Sequence, residues 1–268
     1  MNVCASGDVG APENLNDVSS GAGRLPTTAS QDLVDDLVAA NHILFDQGVV
    51  DGFGHVSVRH DKQADRFLLA RNIAPGLVAA DDILEYGLDG EPVTPDGRRL
   101  YAERFIHSEI YREYPHVTAV VHSHSHAIVP LSVLKSVPLR AIFHMAGFIG
   151  EGAPVFDIRD AAGSGTDLLI SNSKLGRALA KCFANSNIVL MRGHGSTVVA
   201  PSLRQVVYRA IYAEINARYQ LAVMPLGEVN YLTAEEAKSC ERSIETHVQR
   251  PWDLWKRQAQ ERRSKQKY

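Results

Sequence analysis

The chain has 268 residues and 45% hydrophobic content, which is enough for a full-sized core in one or two compact domains. Its 28 basic and 31 acidic residues leave a net charge of −3, so no global field favours nucleic acid or an anionic membrane, and a small polar ligand is the expected partner. The three cysteines lie far apart without a CxxC pair, which indicates neither a disulfide framework nor a thiolate metal site.

The N-terminal segment, residues 1–28, is rich in Gly, Ser, Asn and Asp and holds few large apolar groups. This composition predicts a disordered arm, because too little apolar surface is available to offset the entropy of ordering. The segment lacks the basic and apolar regions of a secretory signal, and no later stretch approaches the roughly 18 apolar residues of a membrane span. We therefore expect a soluble, cytoplasmic protein with no membrane or nucleic-acid partner.

The first predicted elements are a helix and a hairpin. Apolar residues at helical spacing predict a helix that begins after Ser30, a capping residue, and ends near Gly48. The segments 55–60 and 66–71 are expected to be two short strands joined by a polar turn. A Gly-Leu-Asp-Gly turn within 84–93 predicts two further short strands.

The buried centre of the sheet is expected to begin near the middle of the chain. A short helix is predicted over 103–113, before Pro115, and an apolar strand over 117–125. The later predicted elements are strand-like PVFDI and DLLI within 138–170, a helix over 173–184, one buried strand interrupted by glycines over 188–200, and a helix over 202–222 with Ser202 and Gln205 as its capping pair.

Strands and helices alternate throughout, so residues 29–235 are expected to form one layered α/β domain without internal repeats. A C-terminal extension, residues 236–268, begins helical and becomes strongly basic after Trp255. A charge run of this kind is typical of a solvated helix end, and we assign it no function.

Three histidines, His122, His124 and His126, alternate at the end of a predicted strand. Side chains in a strand repeat every two residues, so all three are expected on one face, with the spacing of metal ligands. Hydrogen-bonded histidines on a wet face are the alternative, but burial of three imidazoles has no packing benefit. His194 ends another apolar strand between two glycines. We predict that His122, His124 and His194 converge on a divalent ion with a position open for substrate, and that His126 faces the substrate.

Glu103 and His107 lie one turn apart on the helix before the histidine strand. A carboxylate near a divalent ion acts as a ligand, a proton shuttle or both. The alternative is an ordinary exposed glutamate near a helix start, where the helix dipole favours it. Taken alone, the spacing favours that alternative, so the catalytic assignment of Glu103 and His107 depends on the wider set of motifs.

The combination of Glu103, His107, the His-Ser-His motif at 122–124 and the Gly-His-Gly motif around His194 resembles the class II aldolase/adducin family over residues 30–235. The resemblance implies a three-layer α/β/α sandwich with a mixed, mainly antiparallel central sheet, and a homotetramer with active sites between subunits. It implies that the three motif histidines hold one divalent metal ion per chain, which we expect to be zinc, with manganese, cobalt or iron as alternatives. It also implies that Glu103 is the acid/base.

The phosphate-binding segments of the sugar-phosphate aldolases in this family are not matched. A Gly-Asn turn, a Thr-x-x-Gly turn and a Ser-Ser pair are replaced by Gly54-His55, Ala70-Arg71-Asn72-Ile73 and Tyr101-Ala102, so the donors that surround a phosphate are missing. Aromatic groups replace them, which favours a planar ligand, although core packing is an ordinary role for each. The candidate substrate-binding residues are His55, Arg71, Tyr101, His126 and His144, with Phe53, Trp252 and Trp255 as further candidates.

The segments GHVSVRH, LLARNIAP and YAERFIHSEIY are similar to a branch of the family that includes decarboxylases of hydroxylated aromatic or pyridine carboxylic acids. This resemblance implies a metal-dependent carbon–carbon lyase of the decarboxylase type, with a place in the catabolism of aromatic compounds. Three alternatives stay open: a retro-aldol or aldehyde-releasing lyase, a non-haem iron oxygenase, and a non-catalytic interaction protein like the adducins.

Overall fold

The structure is a computed structural model that describes residues 27–266. The predicted disordered arm lies outside the described residues, apart from Thr27 and Thr28. Both of these hydroxyls donate to the Glu85 carboxylate, at 2.8 and 2.9 Å. Within 27–266, no helix combines the length and the apolar character needed to cross a membrane.

One seven-stranded sheet forms the middle of the molecule, in the order β3-β2-β1-β4-β7-β6-β5. The strands are β1 His55–Arg59, β2 Arg66–Ala70, β3 Ile83–Gly87, β4 Ala119–Ser123, β5 Val155–Phe156, β6 Ile188–Met191 and β7 Gly195–Ala200. Neighbouring strands are antiparallel except for the parallel pair β5 and β6. The predicted mixed, mainly antiparallel sheet is therefore confirmed.

Helices cover both faces of the sheet and complete the predicted three-layer α/β/α sandwich. They are α1 Gln31–Asp46, α2 Arg104–Glu113, α3 Ile128–Ser132, α4 Arg159–Ala162, α5 Ser173–Lys181, α6 Leu203–Val223, α7 Ala234–Glu245 and α8 Gln249–Gln266, with 3-10 turns at Pro75–Leu77, Ala80–Asp82, His144–Ile149 and Met224–Leu226. Helices α2 and α5 pack together in one layer, whereas α1 and α6 contact β1, β4 and β7 in the other.

The helix starts follow the capping residues that the sequence offers. Ser30 accepts a hydrogen bond from the Leu33 main chain at 3.3 Å, and Ser202 accepts one from Gln205 at 3.2 Å. Each serine oxygen satisfies one of the main-chain N–H groups that the first turn of a helix leaves unpaired. The predicted starts of α1 and α6 are confirmed.

The segment 188–200 is not one strand, as predicted, but the hairpin of β6 and β7. Its turn is closed by a hydrogen bond from the His194 N–H to the Met191 carbonyl at 3.0 Å. Gly193 has a φ of +66°, in the left-handed region that a residue without Cβ enters at little cost. The turn places His194 at the tip of a hairpin.

Two further strand predictions are wrong. The segment DLLI at 167–170 is irregular, with Leu168 at a φ of +69°. The second strand expected within 84–93 is reduced to a single bridge between Tyr86 and Pro92, because proline has no N–H for a ladder.

The C-terminal extension packs on the rest of the described chain. The predicted boundary at 235 falls inside α7. Arg209, buried on α6, donates to the carboxylates of Glu241 and Glu245. Trp252 on α8 is only 2% exposed and is part of the core, so it does not line a ligand pocket.

Candidate metal centre and active site

Four predicted residues meet at one end of the central strands. Glu103, His122, His124 and His194 each offer a ligand atom, and these atoms all lie within 4.8 Å of one another. His124 Nε2 lies 3.2 Å from His122 Nε2 and 3.0 Å from His194 Nε2. Glu103 Oε2 lies 3.5 and 3.6 Å from the Nε2 atoms of His122 and His194. We call these four residues the metal cluster.

The spacing within the metal cluster fits a divalent cation. Tetrahedral zinc with Zn–N bonds near 2.0–2.1 Å holds its ligand nitrogens about 3.3 Å apart, close to the observed separations. Two imidazole lone pairs at this distance repel unless a proton or a cation lies between them. Burial, aided by the neighbouring imidazoles, lowers the pKa of His124 to about 4, so its ring is neutral near pH 7, as a metal ligand requires.

Hydrogen bonds orient the ligands. His122 Nδ1 lies 3.1 Å from the Ser196 carbonyl, so Nδ1 carries the proton and Nε2 offers its lone pair to the centre of the cluster. Glu103 stands at the N-terminus of α2, where its Oε1 accepts the Ile170 N–H at 3.0 Å. Burial by itself would raise the pKa of Glu103, but the adjacent His122 and His194 outweigh burial and hold it well below its usual range.

The glycines beside His194 let two backbones approach closely. A Cβ on Gly195 would lie 2.0 Å from the Ser123 carbonyl oxygen, which belongs to the strand that carries His122. No side chain other than hydrogen fits at this position without a shift of β4 or β7.

We expect Gly195→Ala to lower the free energy of unfolding by about 3 kcal/mol, the upper part of the range for overpacked sites. Urea denaturation of the purified variant measures this loss. Gly165→Ala is the matched control, because a Cβ at Gly165 meets no atom within 4 Å. Equal midpoints for the two variants would contradict the close approach.

His107 does not join the metal cluster. Its ring is fully buried; Nε2 lies 2.6 Å from His55 Nδ1 and Nδ1 lies 2.6 Å from Ser57 Oγ. Burial lowers the pKa of His107 to about 3, which keeps the imidazole neutral. The sequence places Glu103 and His107 on one helical face, but His107 contacts β1, behind His55.

Two of the predicted substrate-binding residues, His55 and Tyr101, lie beside one another, and His55 also lies beside the metal cluster. The ring of His55 lies 5.1 Å from that of His122 and 4.7 Å from that of Tyr101. The Tyr101 hydroxyl donates to the Ile73 carbonyl. Arg71 follows β2 and donates through Nε to Asp82 at 2.7 Å. His55 therefore lies between Tyr101 and the His122 side of the metal cluster.

His126 and His144 are placed differently from the prediction. Strand β4 ends at Ser123, so the alternation of side chains does not extend to His126, which is exposed in a turn. The strand ends because Ser125 Oγ and the Ala127 N–H donate to the buried Glu214 carboxylate on α6, at 2.6 and 3.1 Å. His144 is exposed on the 3-10 turn His144–Ile149, and its ring lies 6.2 Å from Phe143.

Two exposed apolar side chains, Phe53 and Val133, lie at the rim of the metal cluster. The sequence indicated Phe53 only as a further candidate, and Val133 was not predicted. Phe53 is 70% exposed, and its ring lies 6.2 Å from that of His124. Val133 is 52% exposed and lies near Gly193 in the His194 turn. An exposed aromatic residue beside imidazole ligands favours a planar ligand or a second protein surface over a hydrated sugar.

Residues 35–221 match the family model for the class II aldolase and adducin N-terminal domain. The chain belongs to this family. Decarboxylase tropJ of Talaromyces stipitatus is 38% identical over 246 residues, which are 83% of this chain and 92% of that protein. The 3,4-dihydroxyphthalate decarboxylase of Arthrobacter keyseri is 29% identical over 205 residues, 71% of this chain and 78% of that protein. With decarboxylases and aldolases as its relatives, the class II aldolase-like chain is an enzyme of the lyase class.

A solved structure supports the fold. The L-fuculose 1-phosphate aldolase from Glaciozyma antarctica PI12 superposes with a TM-score of 0.71 at 21% sequence identity, over 90% of this chain and 96% of that one. This structural similarity confirms the class II aldolase-like architecture that the sequence motifs predict.

Proposed function

We propose that the chain is a metal-dependent decarboxylase of hydroxylated aromatic carboxylic acids. The observation that carries the proposal is the metal cluster, in which three imidazole nitrogens and one carboxylate oxygen lie within 4.8 Å of one another. Two relatives bear the name decarboxylase, and one is named for a dihydroxylated aromatic acid, which supports the reaction type and substrate class.

The metal would be held by His122, His124 and His194, with zinc the expected ion. When bound, the ion acts as a Lewis acid that stabilises negative charge on adjacent substrate oxygens. Glu103 Oε2 lies 3.5 Å from His122 Nε2, inside the metal cluster, and from this position it would take the proton of a substrate hydroxyl bound there. It then returns that proton to the ring carbon from which carbon dioxide leaves. The proton moves from oxygen to carbon as carbon dioxide leaves, and the phenolate product takes up one proton from water.

Arg71 is the residue that we propose for the substrate carboxylate. Asp82 holds the guanidinium through Nε, which leaves both terminal nitrogens without a hydrogen-bond partner among residues 27–266. A guanidinium can bind a carboxylate through two parallel hydrogen bonds, whereas an ammonium group is a point charge. His55 and Tyr101 would complete this side of the pocket.

We expect Arg71→Lys to weaken the binding of a carboxylated substrate by about tenfold, the value of one charge-assisted hydrogen bond, with little effect on a neutral analogue. Steady-state kinetics on the acid and calorimetric binding of the analogue provide the comparison. Arg66→Lys is the control, since Arg66 begins the strand that Arg71 follows but pairs with Glu85. An equal effect on acid and analogue would show that Arg71 does not bind the carboxylate.

Mass spectrometry of the products tests the proposed reaction. Purified enzyme is incubated with a panel of hydroxybenzoates and hydroxymethyl aromatics, with and without oxygen. Loss of carbon dioxide supports the decarboxylase, whereas release of an aldehyde supports the retro-aldol alternative. Products that require oxygen would indicate an oxygenase, and no turnover on any compound would favour an interaction protein.

We also propose that the enzyme is a homotetramer. Two exposed apolar residues at the rim of the metal cluster, Phe53 and Val133, support a second protein surface there. Light scattering of the protein as it elutes from a size-exclusion column measures the molar mass and so gives the number of chains per oligomer.

A further inference from the structure

A chain of buried polar side chains leads from the metal cluster into the layer between β1 and α2. His55 Nδ1 lies 2.6 Å from His107 Nε2, and His107 Nδ1 lies 2.6 Å from Ser57 Oγ. Ser57 Oγ lies 2.7 Å from the Tyr111 hydroxyl. The four side chains are all buried, the most exposed being His55 at 4%. We call them the relay.

The near end of the relay touches the candidate active site. His55 and His122 are directly paired across β1 and β4, so their side chains share one face of the sheet, and their rings lie 5.1 Å apart. His55 uses Nδ1 for the relay, and Nε2 has no hydrogen-bond partner among the residues that the structure describes. Nε2 is therefore the atom left for a ligand.

The hydrogen bonds of Tyr111, at the far end of the relay, determine which group is the donor at each step of the relay. Tyr111 has two acceptors: Ser57 Oγ at 2.7 Å and the Thr118 carbonyl at 3.5 Å. The carbonyl already accepts a main-chain N–H at 2.7 Å. A hydrogen bond at 3.5 Å is much weaker than one at 2.7 Å, so the tyrosine proton points to Ser57.

The remaining proton positions follow from the chemistry of each group. Among the described residues, Ser57 Oγ has two hydrogen-bond partners, the Tyr111 hydroxyl and His107 Nδ1. Because it accepts from Tyr111, the acceptor left for its own proton is His107 Nδ1, and a neutral His107 then carries its proton on Nε2. That proton is donated to His55 Nδ1. A neutral His55 whose Nδ1 accepts a hydrogen bond carries its own proton on Nε2.

We propose that the relay of Tyr111, Ser57 and His107 holds His55 as its Nε2–H tautomer, and that this N–H donates a hydrogen bond to an acidic oxygen of the substrate beside the metal. Ser57, His107 and Tyr111 are then positioning residues, and His55 determines specificity for an anionic ligand. The hydrogen bond from His55 to the substrate rests on the proposed aromatic-acid substrate. The tautomer of His55 does not depend on that proposal.

The tautomer is measured by nitrogen NMR of protein labelled with ¹⁵N-histidine, since protonated and bare imidazole nitrogens have well-separated shifts. The His55 signals are assigned as those absent from His55→Gln. We expect protonated Nε2 and bare Nδ1 in the wild type, and a mixture of tautomers in Ser57→Ala and Tyr111→Phe. Protonated Nδ1 in the wild type would overturn the proposal.

Binding is measured by calorimetry on zinc-loaded protein, with 2-hydroxybenzoate and 2-hydroxybenzyl alcohol as probes. Ser57→Ala and Tyr111→Phe should weaken the binding of 2-hydroxybenzoate three- to tenfold, about the value of one hydrogen bond. They should leave the binding of 2-hydroxybenzyl alcohol unchanged. Tyr114→Phe is the matched control: it also removes a tyrosine hydroxyl at the end of α2, but one that bonds to Ala180. Equal losses in Tyr111→Phe and Tyr114→Phe would overturn the specific role.

A double-mutant cycle separates positioning from general stability. The amide of His55→Gln donates a hydrogen bond without depending on a tautomer, so Ser57→Ala should cause no further loss in that background. The same loss in both backgrounds would show that Ser57 acts independently of His55. If wild-type protein binds neither probe, the proposed substrate class fails, while the nitrogen spectrum still decides the tautomer.

Discussion

Replacing His194 by alanine is expected to abolish metal binding and, with it, turnover. His194 Nε2 lies 3.0 Å from His124 Nε2 and reaches the metal cluster from the tip of the β6–β7 hairpin. We expect about one divalent ion per chain in the wild type and less than about a tenth in the variant. Elemental analysis of dialysed protein measures the metal, and product formation measures turnover.

The control for this experiment is His116→Ala. His116 is exposed and its ring lies 5.9 Å from Tyr114, at the start of the segment that leads into β4. This variant should keep its metal. Full occupancy in His194→Ala would exclude His194 as a ligand and leave two histidines and one carboxylate, a different site. Alanine at His122 or His124 is expected to behave like alanine at His194.

The metal cluster could be predicted from sequence because its signal is local. Alternate spacing in a strand puts His122 and His124 on one face, and the glycines around His194 indicate a sharp turn. The same rule failed at His126, because a strand continues only while its main chain is paired. The carboxylate of Glu214, which is distant in sequence, accepts hydrogen bonds from the Ser125 hydroxyl and the Ala127 N–H, and the chain turns away from the sheet.

The environment of His107 could not be predicted in the same way. Helical spacing places it one turn after Glu103, which indicates a shared face. The direction of the ring, however, depends on Ser57 and His55 of a strand about fifty residues earlier, whose hydrogen bonds reach both of its nitrogens. Period-two alternation does place His55 and Ser57 on one face, so the sequence holds half of this information.

Replacing Glu103 by glutamine is expected to keep the metal and to lower turnover by roughly two to four orders of magnitude, the span of general acid–base catalysis. The amide oxygen can still accept the Ile170 N–H that Oε1 accepts at 3.0 Å, so the start of α2 stays in place. What the amide cannot do is take a proton from a substrate hydroxyl and return it to carbon. Metal content and kcat, measured on the same preparation, separate these two effects.

Glu113→Gln, at the exposed end of the same helix, makes the same chemical change away from the metal cluster and should leave kcat unchanged. Near-normal turnover in Glu103→Gln would show that the carboxylate is structural. The proton would then have to come from another group, and His107 is a poor replacement: burial keeps it neutral, and both of its nitrogens are already hydrogen-bonded. His55 Nε2–H, which lies next to the cluster, would become the candidate donor. A further loss of turnover in the combined Glu103→Gln and His55→Gln variant would then identify it.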